Sequence, residues 1–196
     1  MVTTSRPSES TLRKFLQKQA GANFSYSQVN HTKKNERVPG FNNDRNRVLL
    51  GKGKAVYDTA CAALRRWEMF PSGWAWIEPK DAPIHTSQTL VMVAKLFGTH
   101  WLNACRIVYT LDGTGPERRY GFAYGTLPDH IECGEERFSV EWLEDDTVWY
   151  DLKAFSHPRL WVVWMAYPLA RLLQKRFVRE SLAKMKRVAE QSQNEK

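Results

Sequence analysis

The chain has 196 residues, 42% hydrophobic and 26% charged, a composition that folds and a length that closes one core but falls short of two ordinary domains. Its net charge of +8 is unevenly placed, with residues 1–60 at +7, residues 158–196 at +6 and residues 61–157 at −5. Cys61, Cys105 and Cys133 are widely spaced, with no Cys-x-x-Cys and no His at metal spacing, which argues against a disulfide scaffold or a zinc site and for free thiols in a reducing compartment.

Residues 1–45 read as an N-terminal arm, partly flexible, with a helical patch at 12–20 and a polar, Asn-rich approach after it. Residues 1–10 lack the apolar core of a secretory signal, so a cytoplasmic location is expected. Val48-Leu49-Leu50 predicts a short strand, Gly51-Lys52-Gly53 a turn, and residues 54–67 a helix, with Ala55, Ala62, Ala63 and Trp67 at three- and four-residue steps. Pro71 and Gly73 end it.

Six further strands are expected at 74–77, 89–97, 104–111, 119–125, 137–143 and 147–155, which makes seven in all. Alternation gives them an apolar face through Leu90, Met92 and Ala94, then Cys105, Ile107 and Tyr109, then Phe138, Val140 and Trp142, then Val148, Tyr150 and Leu152. The other face holds Arg106, Ser139, Glu141, Asp151 and Lys153 and is expected to be wet. The cover for the apolar face is one helix over 158–190, entered at Pro158 and kinked at Pro168. Leu169, Leu172, Leu173, Phe177, Leu182, Met185 and Val188 make its apolar stripe, and 191–196 are expected to be a disordered tail. The longest apolar run, 160–170, is too short for the ~20 residues of a membrane-spanning helix. The fold class is therefore α+β, a curved antiparallel sheet of about seven strands gripping a long C-terminal helix, with the domain at 46–190.

Gly51-x-Gly53 before an Ala-rich helix ending in Trp67, the segment from Gly121-Phe-Ala-Tyr-Gly-Thr-Leu-Pro-x-His130-x-Glu132-x-Gly134 to Phe138, and Ala154-Phe-Ser carry a resemblance. The chain resembles the domain-of-unknown-function family numbered nineteen-ninety, over residues 12–187. That family looks like a branch of the START-like, helix-grip superfamily, whose members hold apolar or amphipathic ligands between sheet and terminal helix. The resemblance implies a fold and a class of behaviour, with no catalytic residues to carry over. Through its plant relatives it also implies an alternative location at the chloroplast outer envelope, with channel formation as an alternative activity.

Four candidate sites follow. The inward aromatic residues Tyr109, Trp142 and Tyr150, joined by Trp164, Phe177 and Trp76, suit a mostly apolar ligand pocket, against the alternative of a solid core. His130 and Glu132, in the acidic loop 126–136, are the polar pair expected at the cavity mouth; the structural alternative leaves the loop's carboxylates in water or capping turn amides. Gly51-Lys52-Gly53-Lys54 at a helix start is a weak anion site, outweighed by a simple tight turn. The terminal helix, with Trp161, Trp164 and Tyr167 at one end and Arg171, Lys175, Arg176, Arg179, Lys184, Lys186 and Arg187 toward the other, has the make-up of an interfacial membrane helix, although its stripe is needed to cover the sheet.

The leading expectation is a non-enzymatic module that binds a small apolar or amphipathic, lipid-like ligand, with no cofactor and no metal. The first alternative is a peripheral protein on an anionic membrane; the second is an enzyme using His130 and Glu132. No nucleic-acid-binding module is recognisable, so nucleic acid is not an expected partner.

Overall fold

The computed structural model describes residues 1–34, 36–71, 73–113, 118–159 and 167–194. In chain order the elements are β1 (Val2–Thr3), α1 (Glu9–Gln19), a 3-10 turn (His31–Lys33), β2 (Asn42–Lys52), α2 (Gly53–Arg65), β3 (Ala75–Glu78), β4 (Thr89–Leu96), β5 (Thr99–Gly113), β6 (Arg118–Thr126), β7 (Glu132–Trp142), β8 (Thr147–Pro158) and α3 (Tyr167–Asn194). Antiparallel pairing gives the order β2-β8-β7-β6-β5-β4-β3, with the two-residue β1 added to β5. The α+β helix-grip fold is as expected, with one short strand more.

On the inner face, alternation places Leu90, Cys105, Ile107, Phe122, Phe138, Val140, Tyr150 and Leu152 in one core. Its cover differs from the single helix expected. Val56, Ala60, Cys61, Ala63 and Leu64 of α2 are buried in the same core, and α3 adds Met185, Ala189 and the hydroxyl-bearing Ser181. Two helices thus share the cover, because α2 turns its own three- and four-residue stripe inward.

Three details of α3 also differ. Pro158 is the last residue of β8, where pairing with Glu132 holds it extended. The helix is described from Tyr167 on, and the turn before Pro168, where the expected kink would fall, lies outside the described residues. Leu169 and Leu172 are exposed, and the helix runs on to Asn194, past the limit of 190.

The outer face departs most from expectation, because much of it is covered. Phe15 of α1 packs with Val91, Val93, Leu102 and Ala104, while Tyr26, Val38, Cys133 and Phe155 form a second cluster. Residues 1–34 and 36–41 thus contribute a docked layer, and the strand expected at Val48 starts at Asn42. Arg106 donates to the carbonyls of Gln19, Ala20 and Ala22, a cation completing the C-terminal end of α1. Glu135 accepts from the Asn30 and Thr32 N–H groups and from the Tyr26 and Thr32 hydroxyls. Beside it Asp151 pairs with Arg45, Arg47 and Arg137, so the polar face is satisfied by an ion-pair network rather than by water alone.

A cavity between the sheet and the C-terminal helix

The inner core has two unlike ends. Near the β7–β8 turn it is filled by rings: Trp67 stacks edge-on to Phe122 at 4.8 Å, Phe70 lies between Phe138 and Phe177, and the Tyr150 hydroxyl lies 2.9 Å from that of Ser181. At the other end the described residues line a half-open cavity of about 190 Å³ between the sheet and residues 170–178 of α3. Trp74, Met92, Ala94 and Leu152 form its apolar walls on the sheet side, and Leu173, Phe177 and Val178 close it from the helix.

A polar cluster interrupts these walls. Tyr124 and Glu136 are direct cross-strand partners on β6 and β7, and the Tyr124 hydroxyl donates to Glu136 Oε2 at 2.6 Å. Two same-face positions along, past Gly134, Glu132 Oε1 accepts from Gln174 Nε2, and the same nitrogen lies 3.2 Å from Ser156 Oγ, tying α3 to two strands. His130 Nδ1 accepts from the Glu132 N–H at 2.9 Å, which places the ring's proton on Nε2. At the rim, Arg171 of α3 grips Asp44 of β2 through two nitrogens, at 2.7 and 2.9 Å.

Burial sets the protonation of this cluster. It pushes the carboxyls of Glu132 and Glu136 up to about 7, against the smaller opposing effects of the hydrogen bonds from Gln174 and Tyr124. It pulls His130 down to about 3, so the imidazole is neutral at physiological pH. Both glutamates keep some accessible surface, and it faces the cavity they line. The cluster is therefore able to donate and accept hydrogen bonds to a polar head, and to change charge close to neutrality. Among the described residues no group of three or more His, Cys, Asp or Glu side chains is placed to hold a metal ion.

The expected polar pair, His130 and Glu132, meets at this cavity. The acidic loop that was to carry them is largely strand: β7 begins at Glu132 because Gly134 continues the pairing instead of ending it. A Cβ at Gly134 would lie 2.0 Å from the Phe155 carbonyl, so only glycine permits that approach. Its carboxylates are accordingly not held in water: Glu132 and Glu136 face the cavity and Glu135 the docked segment.

Of the aromatic set, Phe177 lines the cavity, and Trp164 lies outside the described residues. Tyr109 is on the outer face, because a bulge between Ile107 and Tyr109 breaks the alternation; its hydroxyl meets that of Thr32 at 2.6 Å. Trp76 is also outside, stacked under Arg6, while its neighbour Trp74 takes the inward position. Tyr150 and Trp142 point inward at the filled end, Trp142 against Tyr57 at 5.7 Å. Glu136 was within the acidic loop singled out but not chosen as one of the pair, and sequence reasoning missed Tyr124, Asn103 and Gln174. Their signal was a polar residue at an inward position of an otherwise apolar strand or helix face.

The turn at residues 51–54 resolves as structure. The Gly53 N–H donates to the Asp146 carbonyl, and the Asp146 carboxylate lies beside it, which fills the turn and disfavours an anion. Of the membrane-helix candidate, Trp161 and Trp164 lie outside the described residues, and within α3 Arg171 and Arg176 are paired with Asp44 and Glu180. No helix among the described residues is long and apolar enough to cross a membrane.

The sequence profile described as Domain of unknown function (DUF1990) matches residues 25–184. A UPF0548 protein of Dictyostelium discoideum is 31% identical, with 96% of each chain covered. One from Deinococcus radiodurans is 36% identical over 74% of this chain and 77% of its own. Among solved structures, the di-domain ARO/CYC StfQ from the steffimycin biosynthetic pathway aligns with a TM-score of 0.49 at 12% identity, over 78% of this chain and 51% of that one.

Proposed function

The chain belongs to the DUF1990 family of unknown function, and on that premise we propose that it is a binding module for a small apolar or amphipathic molecule, held between the sheet and α3. The observation that carries this reading is the cavity: apolar walls with a few convergent polar groups are the usual make-up of a small-molecule site. At about 190 Å³ it lies below the range of roughly 300–1,000 Å³ for drug-sized ligands and above the roughly 150 Å³ that admits benzene. The ligand is thus of the size of one ring or a short chain, apolar along most of its surface and polar at one end.

The test is mass spectrometry of gently purified protein under native and denaturing conditions, together with an Ala154→Phe variant whose ring would occupy the space beside Ser156 and Leu152. A co-purified small molecule, present in the parent and lost from a folded Ala154→Phe, is the expected result. An apo mass, with no saturable shift of the cavity-lining resonances on adding benzyl alcohol, overturns the proposal.

A further inference from the structure

We infer that the cavity selects a ligand whose polar end is a primary amine or similar cation, seated between Glu132 and Glu136. This deepens the binding reading above and rests on it. The argument is one of unmatched charge in a half-open, largely apolar cavity. Each glutamate is held through one oxygen only, by a neutral partner: Gln174 on Glu132 and Tyr124 on Glu136. Among the described residues no ion pair reaches the second oxygen of either. Glu135, next in sequence, spends its carboxylate on the opposite face of the sheet and contributes no charge here.

The cations that act on the cluster from the surrounding elements are Arg171 on Glu132, and Arg159 and the Met1 amine on His130, and among the described residues none of them hydrogen-bonds to either glutamate. Asp44 from β2 and Arg171 from α3 neutralise each other at the rim, and Arg171 spends a further contact on Gln174. From the preceding loop His130 is neutral and only 6% exposed, and its Nε2–H has no acceptor among the described residues. From β5 and β8 the titratable groups behind the wall, Cys105 and Tyr150, are held in their neutral forms by burial.

An anionic head would therefore meet two carboxyls with no cation bonded to either, since Arg171 is already held by Asp44, and would be repelled. A purely apolar ligand would leave two carboxyl oxygens and the His130 N–H unmatched, which burial penalises. An ammonium group pairs with the carboxylates at low local dielectric, and a hydroxyl beside it would take the imidazole proton. The elevated affinity of both carboxyls for protons has the same origin, since protons are the cations available to an empty site. Amine and proton thus compete for one place.

The experiment is calorimetric or NMR titration of the full chain with three isosteric probes, benzylamine, benzyl alcohol and benzoate, at pH 8 and pH 5.5. The expected result is benzylamine tightest and benzoate weakest at pH 8, with benzylamine weakened at least tenfold at pH 5.5 and benzyl alcohol nearly unchanged. In Glu132→Gln/Glu136→Gln, benzylamine should lose its advantage while benzyl alcohol still binds, which also reports that the variant is folded. Benzyl alcohol binding without preference for the amine, or benzoate as tight as benzylamine, overturns the charge selection and leaves the cavity standing. Failure of all three probes overturns both.

Discussion

Glu136 shows how one residue couples this cavity to pH. Its carboxyl titrates at about 7 in the fold against 4.5 in the open chain, so it stabilises the fold fully below pH 4.5 and loses that contribution as pH rises to 7. The difference is on the order of 3 kcal/mol, and Glu132 contributes with the same sign. His130 has the opposite sign: lowered from 6.5 to about 3, it favours the fold above pH 6.5 and loses that contribution as pH falls. Between pH 5 and 6.5 two falling contributions face one rising one, so the urea midpoint of the parent should fall as pH rises. In Glu136→Gln the remaining two should nearly cancel, leaving a flatter profile; parallel profiles would contradict this account of the cavity carboxyls. Gly121 acts at the same scale by close approach. A Cβ there would lie 2.2 Å from the Phe138 carbonyl, which is backbone and unable to turn aside. Gly121→Ala should cost about 3 kcal/mol, the upper part of the range for overpacking, read as a lower melting temperature, and an unchanged one would refute the fit. The most specific segment of the sequence, residues 121–138, is thus specific for two physical reasons: glycines set strand spacing, and polar residues reach the cavity.

At the scale of elements, the docked N-terminal segment was the least legible part of the sequence. Its polarity read as mobility, because of the eight apolar or amphipathic side chains it contributes only Leu12, Phe15 and Leu16 of α1 keep a helical spacing, while Phe24, Tyr26, Val29, Val38 and Phe41 follow none. Their partners lie on a face that is largely charged on β7 and β8 but apolar on β4 and β5, where Val91, Val93, Leu102 and Ala104 meet α1. What holds the two together is a buried carboxylate, since Glu135 satisfies two backbone N–H groups and two hydroxyls of the segment at once. Glu135→Ala would strand those donors, and the expected loss is about 3 kcal/mol with collapse of amide-exchange protection at Asn30 and Thr32. Retained protection there would mean that the aromatic contacts alone dock the segment. Strands β4 to β8 and helix α2, by contrast, were readable because period-two and period-3.6 patterns survive wherever one face meets the core. The exceptions have local causes: the bulge after Ile107 turned Tyr109 outward, and Gly134 extended β7 beyond the place where a turn was read.

For the whole molecule, the division of the core decides which positions serve stability and which serve binding. The aromatic count marked a cavity or a solid core without distinguishing them, and the fold contains both, one at each end of the same inner face. Only the three-dimensional meeting of α2 with α3 determines which end is filled, and no periodicity encodes that contact. Phe122 belongs to the filled end, fully buried against Trp67 and Phe138. Its replacement by Ala should cost about 3–5 kcal/mol while leaving benzyl alcohol affinity within twofold in the folded fraction. Trp142→Ala, also at that end, should behave alike with a smaller loss, since the ring is only partly buried and bonds to Asp146. Leu173→Ala, on the cavity wall, should do the reverse: little stability is at stake beside an existing void, but the ligand loses a contact surface and its affinity falls several-fold. The three variants, measured by urea unfolding and by benzyl alcohol titration, test whether stability and binding separate along the length of the sheet. A Phe122→Ala protein that stayed folded yet lost the ligand would mean that the two ends form a single packed unit, with the void dependent on the rings beside it.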